Sequence, residues 1–193
     1  MLVVDDDAGD RMALFRLLER DGHHATVADN GRAALDLLRE EPFDVVLIDL
    51  LMPDDEGFTV LEALRGEGAL RHIPVIAMSS GDDTAAVGRC LELGADDYIP
   101  KPVDPAVLRA RINASLEKKR LREREGEYLD ALGHVARAAG AVGTDAFDAA
   151  ALDDVARRPD TLGQLARAVR KVAARLNEQA VDSRPGAQHV PST

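Results

Sequence analysis

The chain has 193 residues, enough for one ordinary domain with an extension or for two small ones. Hydrophobic residues make up 46% of it but aromatic residues only 3%, and Trp is absent, so the core must be built from Leu, Val, Ile and Ala. A net charge of −11 argues against a nucleic-acid partner, no apolar run approaches the ~20 residues of a membrane helix, and the single Cys90 cannot close an internal disulfide.

In chain order, residues 2–4 form a first short apolar strand, followed at once by Asp5-Asp6-Asp7. Met12, Phe15 and Leu18 then recur at helical spacing. A second strand is expected over 24–28, with a helix carrying Ala34, Leu35 and Leu38 behind it. The third strand, 45–48, runs into Asp49 and turns through Leu50-Leu51-Met52-Pro53 before a helix with Leu61 and Leu64. The fourth, 75–78, meets Ser79, and Asp82-Asp83 precede a helix with Val87, Leu91 and a small core residue, Cys90. The fifth, 97–99, is followed by Lys101-Pro102, where a cis peptide would be one way to turn the lysine inward. Asp104-Pro105 then reads as an N-cap before a proline at the first helical position. Gly22, Gly31, Gly57, Gly81 and Gly94 fall near the proposed boundaries.

Five strand-helix repeats with short connections imply a parallel sheet covered on both faces by helices. In such sheets ligands gather at the carboxyl ends of the strands. Asp5, Asp6, Asp49, Ser79 and Lys101 all stand at strand ends, so they are expected to share one pocket. Clustered carboxylates repel and need a cation, while a hydroxyl and an amine beside them suit phosphate chemistry.

The composition changes after residue 117. Residues 1–117 hold 11 basic against 24 acidic side chains, a net of −13, whereas 118–193 hold 13 against 11, a net of +2. The fifth helix is expected to run on, with Leu121, Tyr128, Val135 and Val142 spaced by sevens. Leu132 and Ala139 suit the second line of that seam, Lys118 and Glu125 do not, and Gly126, Gly133 and Gly140 weaken the helix. Residues 144–159 read as non-helical. Leu162, Leu165, Val169, Val172 and Leu176 then make a cleaner seam, and the tail from Val181 is too polar to order itself.

The motifs Val3-Val4-Asp5-Asp6-Asp7, Asp49-Leu50-Leu51-Met52-Pro53 with Gly57, Pro74-Val75-Ile76-Ala77-Met78-Ser79 and Gly94-Ala95-Asp96-Asp97-Tyr98-Ile99-Pro100-Lys101-Pro102 resemble, in order and spacing, the receiver domain of two-component response regulators. The resemblance covers residues 1–117 and implies a flavodoxin-like doubly wound sheet of order 2-1-3-4-5. It implies that Asp49 accepts a phosphoryl group from a histidine kinase or phosphotransfer protein, without being an enzyme toward other substrates. It further implies Mg²⁺ held by Asp6, Asp49 and the Leu51 backbone carbonyl, with Asp5 acting through a metal-bound water. Lys101 and Ser79 would contact the phosphoryl oxygens, and Ser79 with Tyr98 would form the conformational switch. Asp7, Asp10, Asp54, Asp55, Asp96 and Asp97 are read instead as caps or turn formers. Three departures stand out: the first strand begins almost at Met1, Glu56 replaces an aspartate common before the glycine, and Ser80 stands where Ala or Gly is frequent.

Residues 153–167, with Leu162-Gly163-Gln164-Leu165, resemble the connector end and second helix of a HAMP signalling module, although Thr161 replaces the usual acidic residue. The expected layout is therefore a receiver domain at 1–117, a HAMP-like helical dimerisation region at 118–180 and a disordered tail at 181–193. Homodimerisation through the C-terminal helices, an unidentified downstream protein and a cytoplasmic location complete the reading. His134 lacks a phosphotransfer setting and reads as an exposed helix residue. Two alternatives fit less well. A DNA-binding regulator lacks a helix-turn-helix pattern, and a haloacid dehalogenase-type phosphatase would need a second aspartate where Leu51 stands.

Overall fold

The computed structural model describes residues 1–80, 84–144 and 146–182. Its elements are β1 (Leu2–Val4), α1 (Ala8–Arg20), β2 (Thr26–Ala28), α2 (Gly31–Glu40), β3 (Val46–Asp49), α3 (Glu56–Gly66), β4 (Val75–Ser80), α4 (Thr84–Glu92), β5 (Asp97–Lys101), α5 (Pro105–Ala141), α6 (Asp153–Ala156) and α7 (Thr161–Asp182). Short 3₁₀ turns lie at Pro53–Asp55 and Ala150–Leu152. The chain divides into two compact units, Met1–Arg122 and Glu123–Thr193. The expected cap at Asp82-Asp83, the boundary at Gly81 and the tail at 183–193 lie outside the described residues, and Val181 and Asp182 belong to α7.

The first unit is a five-stranded parallel sheet of order β2-β1-β3-β4-β5, as the resemblance implies. Its strands are apolar on both faces because each face is covered by helices. Alternation along the strands sorts the core into two layers. Leu2, Val4, Val46, Ile48, Val75 and Ala77 pack with Ala34, Leu38, Phe58, Leu61, Leu64 and Cys90 from α2, α3 and α4. Val3, Leu47, Ile76, Met78 and Ile99 pack with Leu14 and Leu18 of α1 and with Leu108 and Ile112 of α5. The three-residue β1 is fully buried and paired on both sides, so it is a true central strand.

Several boundaries differ from those read in the sequence. β2 starts at Thr26 because the His24 carbonyl accepts from the Met1 ammonium at 2.6 Å and the Ala25 amide donates to Glu19 at 2.8 Å, taking both out of the ladder. β3 extends to Asp49, paired with Met78, and β4 and β5 extend to Ser80 and Lys101, which face each other. The key polar residues therefore lie within the last rungs of the ladder. Helix starts follow local capping: Asp7 accepts from the amides of Gly9 and Asp10, Asp104 from those of Ala106 and Val107, and Asn30 from that of Ala33. The Asp7 carboxyl is accordingly held below its usual range by those two amides.

The loop after β3 is shaped by backbone crowding. Asp54 and Asp55 adopt left-handed φ of 55° and 54°, a conformation Asp tolerates better than most residues. A Cβ at Gly57 would sit 2.3 Å from the Asp49 carbonyl oxygen, so only glycine lets α3 approach β3 this closely.

In the second unit, residues 144–159 are not wholly non-helical as the sequence suggested. Leu152 and Val155 are apolar at a helical step, and their burial draws Ala150–Leu152 into a 3₁₀ turn and Asp153–Ala156 into α6. They share a small core with Ala131, Val135 and Ala138 of α5 and with Leu162 and Ala166 of α7. Only part of each predicted seam is used: Val135 and Leu162 are buried, but alanines complete the packing face. Gly163 is forced, since a Cβ there would lie 2.0 Å from the Arg158 carbonyl oxygen. Asp160 caps α7 through the Gly163 amide. No helix among the described residues is long and apolar enough to cross a membrane.

Replacing Gly57 with Ala is expected to cost about 1–3 kcal/mol, the range for overpacking a filled site. Urea unfolding followed by circular dichroism measures it, and a loss below a few tenths of a kcal/mol would contradict the crowding argument.

Candidate functional site

Of the residues expected at the carboxyl edge of the sheet, Asp5, Asp6, Asp49 and Lys101 come together there. Asp5 follows β1, Asp49 ends β3 and Lys101 ends β5, and all three side chains are 10% exposed or less. The Lys101 ammonium reaches Asp49 Oδ2 at 2.5 Å, Asp5 Oδ2 at 2.8 Å and Asp10 Oδ2 at 3.1 Å. The other oxygens are also engaged: Asp5 Oδ1 accepts from the Asp7 amide and Asp49 Oδ1 from the Leu51 amide, each at 2.9 Å. Lys101 thus points inward as expected, and the Lys101–Pro102 peptide is cis.

The electrostatics follow from crowding. Burial raises the Asp5 pKa above its ordinary value, and the Lys101 contacts only partly offset this. Burial alone would lower the Lys101 pKa, but hydrogen bonds to Asp49, Asp5 and Asp10 outweigh it and raise the pKa above its usual value. The ammonium is therefore charged throughout the physiological range, and its contribution to stability persists until pH rises past the ordinary lysine pKa.

Asp5, Asp6 and Asp49 each offer a carboxylate oxygen, and these lie within 4.8 Å of one another. An all-oxygen set at this spacing, with Asp6 exposed and the other two buried, suits a small hard divalent cation that keeps part of its water. Ser79 is buried, and among the described residues its hydroxyl makes a long contact, 3.5 Å, to the Ser80 carbonyl. Tyr98 is half-buried against the core layer of α2, α3 and α4.

Other assignments need correction. Asp10, read as a cap or turn former, is an ion-pair partner of Lys101. Asp96, read the same way, accepts from Arg65 at 3.1 Å and the Val75 amide at 3.2 Å, and it pairs with Lys118 and Arg122 of α5. Asp97 opens β5 and pairs with Arg111 at 2.9 Å. The sequence reading also missed Glu56, whose carboxylate accepts from the Gly31 amide at 2.6 Å and ties α3 to α2. It missed Arg89 as well, which stacks 3.9 Å over the Phe58 ring and reaches Asp55 at 3.3 Å, joining α4 to the loop after Asp49. The pairing of Asp10 with Lys101 links positions 91 apart, and no local pattern announces it.

The fold is thus doubly wound, with an acidic cluster and Lys101 at the carboxyl edge of its sheet. The model of the response regulator receiver domain family matches residues 1–113, and the chain belongs to that family. The two-component response regulator ORR7 of rice (Oryza sativa subsp. japonica) is 37% identical over 107 residues, 55% of this chain and 51% of that protein. The transcriptional regulatory protein AfsQ1 of Streptomyces coelicolor is 39% identical over 118 residues, 61% of this chain and 51% of that protein. The crystal structure of the signal receiver domain of a histidine kinase from Syntrophus aciditrophicus is 35% identical, with a TM-score of 0.57, covering 61% of this chain and 89% of that one. The chain thus spans about half the length of ORR7 and AfsQ1.

Removing the ammonium tests the charge balance directly. Lys101→Met is expected to destabilise the protein by about 3 kcal/mol at pH 7.5, because buried carboxylates lose their partner. The deficit should narrow toward pH 5, where the folded state takes up protons more readily than the unfolded one. Denaturant melts at the two pH values check both signs.

Proposed function

We propose that this protein is a phosphorelay response regulator in which Asp49 accepts a phosphoryl group from a histidine kinase or phosphotransfer protein. The observation that carries the reading is the Lys101 ammonium bridging Asp49 and Asp5 across the carboxyl edge of the sheet, 2.5 and 2.8 Å away. Asp6 and Asp49, with the Leu51 carbonyl, would hold Mg²⁺ directly and Asp5 through water, and the ion would supply positive charge against the phosphoryl oxygens. An Asp49 oxygen would form the new bond to phosphorus, while the donor's group leaves with the electron pair of the bond that breaks. Lys101 would then redirect one N–H hydrogen bond from the Asp49 carboxylate to a phosphoryl oxygen. The buried Ser79 hydroxyl would donate to another. Movement of Ser79 would open space toward which the half-buried Tyr98 ring turns, a two-state element biased by phosphate.

For the output we infer a second copy of the same chain, followed by an unidentified downstream protein. Leu121, Tyr128 and Leu132 on α5, and Leu165, Val172 and Leu176 on α7, are all 40% exposed or more. Each triplet steps by seven and then four, the spacing of one apolar stripe along a helix. Intrachain packing uses the neighbouring alanine face, so these stripes are left for a symmetric seam. The constrained Gly163 and the Asp160 cap support the HAMP-like reading of this region.

Incubation with acetyl phosphate and Mg²⁺ is expected to add the mass of one phosphoryl group to the wild type and none to Asp49→Asn. Absence of the added mass on the wild type would overturn the central claim. Separately, the wild type is expected to run as a dimer in light scattering, and Val172→Glu combined with Leu176→Glu as a monomer. A monomeric wild type with and without acetyl phosphate would rule out the seam.

A further inference from the structure

The Lys101 ammonium has three N–H groups and three carboxylate neighbours, each on a different element. Asp5 and Asp49 belong to the sheet edge and are almost fully buried, whereas Asp10 comes from the first turn of α1 and its side chain is 55% exposed. Asp10 also lines a cavity of about 480 Å³ beside Lys101, with Leu14, Leu17 and Val103 among its walls. It is thus the outermost of the three, between the ammonium and solvent. Resting on the phosphoacceptor reading of Asp49, we infer that Asp10 is a specificity-determining residue: a charge filter that disfavours small anionic phosphodonors and draws Lys101 away from the incoming phosphoryl oxygens.

The effect is electrostatic. Asp10 and Asp49 share one ammonium, so they lie no farther apart than its two ion pairs end to end. A phosphoryl group arriving at Asp49 brings further negative charge within that range. At a few ångströms and an effective dielectric constant of about 20 to 80, one unit charge changes the rate by roughly three- to tenfold or more. A protein donor that places a lysine or arginine against the exposed side of Asp10 cancels that penalty. A small acyl phosphate in bulk solution cannot. The filter therefore favours a donor with basic side chains beside its phosphorylated group.

The test compares two small donors. Acetyl phosphate transfers its phosphoryl group to an Asp49 oxygen as acetate leaves with the electron pair of the broken P–O bond. Phosphoramidate does so as its P–N bond breaks and ammonia leaves, and it carries less net negative charge near neutral pH. With Mg²⁺ present, Asp10→Asn is expected to load from acetyl phosphate about three- to tenfold faster than wild type. Its gain with phosphoramidate should be smaller, and the gain should shrink at high ionic strength. Asp10→Glu should stay near wild type. Asp54→Asn, which makes the same charge change after β3 without contacting Lys101 and keeps a residue tolerant of left-handed φ, should not move the donor ratio. A metal-free readout is the ¹⁵N resonance of the Lys101 ammonium, expected to shift in Asp10→Asn and not in Asp54→Asn. Equal rates in Asp10→Asn and wild type, or equal acceleration by both donors, would overturn the filter. Failure of the wild type to load from either donor would instead overturn the phosphoacceptor reading on which it rests.

Discussion

The buried ammonium of Lys101 is the constraint around which the first unit is organised. Asp5 and Asp49 sit at the ends of adjacent central strands, and their charges are tolerable there because one cation serves both. Asp5 shows the strain of this arrangement, since burial raises its pKa even with the lysine in contact. A single ammonium does not balance Asp5, Asp6, Asp10 and Asp49. The site is therefore built with a standing excess of negative charge, which suits a hard cation.

The sheet makes that balance geometrically possible. Register places Val4 opposite Ile48, Asp49 opposite Met78 and Ser80 opposite Lys101, so the polar residues emerge together at one edge. The lysine must cross from β5 to β3 over the end of β4, and there β4 carries the buried Ser79 and the exposed Ser80. Gly57 has a similar role for the other wall. It lets α3 close against the Asp49 carbonyl, fixing the loop whose Leu51 amide holds Asp49 Oδ1.

Features written in local pattern were legible in the sequence. The parallel strand-helix repeats, the Asp7 and Asp104 caps, the inward lysine and the buried Cys90 follow from short-range spacing or from residue types at strand ends, whereas strand order was implied only by the family resemblance. What was not legible involves partners far apart in sequence. Asp10, Glu56 and Asp96 look like ordinary acidic residues near helix or strand ends, yet each is claimed by a distant group: Lys101, the Gly31 amide, and the cations Arg65, Lys118 and Arg122. The seams of the second unit show a related limit. Heptad spacing located amphipathic helices but did not say which apolar line would pack within the chain, and small alanines took that place while larger side chains stayed exposed.

Helix α5 contributes residues to two separate cores. Leu108 and Ile112 near its start are fully embedded in the sheet's core, and Ala131, Val135 and Ala138 farther along belong to the second core. The span between is held to the first unit by charge: Lys118 and Arg122 on Asp96, and Lys119 on Asp44 at 2.7 Å. Each of these pairs has one well-exposed partner, so it is weaker and more readily screened by salt than the burial of Leu108 and Ile112. The physical consequence is a gradient along one continuous helix, from firmly packed at its start to electrostatically tethered near residue 120. Asp44 precedes β3 and Asp96 precedes β5, so this tether lies at the amino ends of the parallel strands, the opposite edge from the one that carries Asp49 and Lys101.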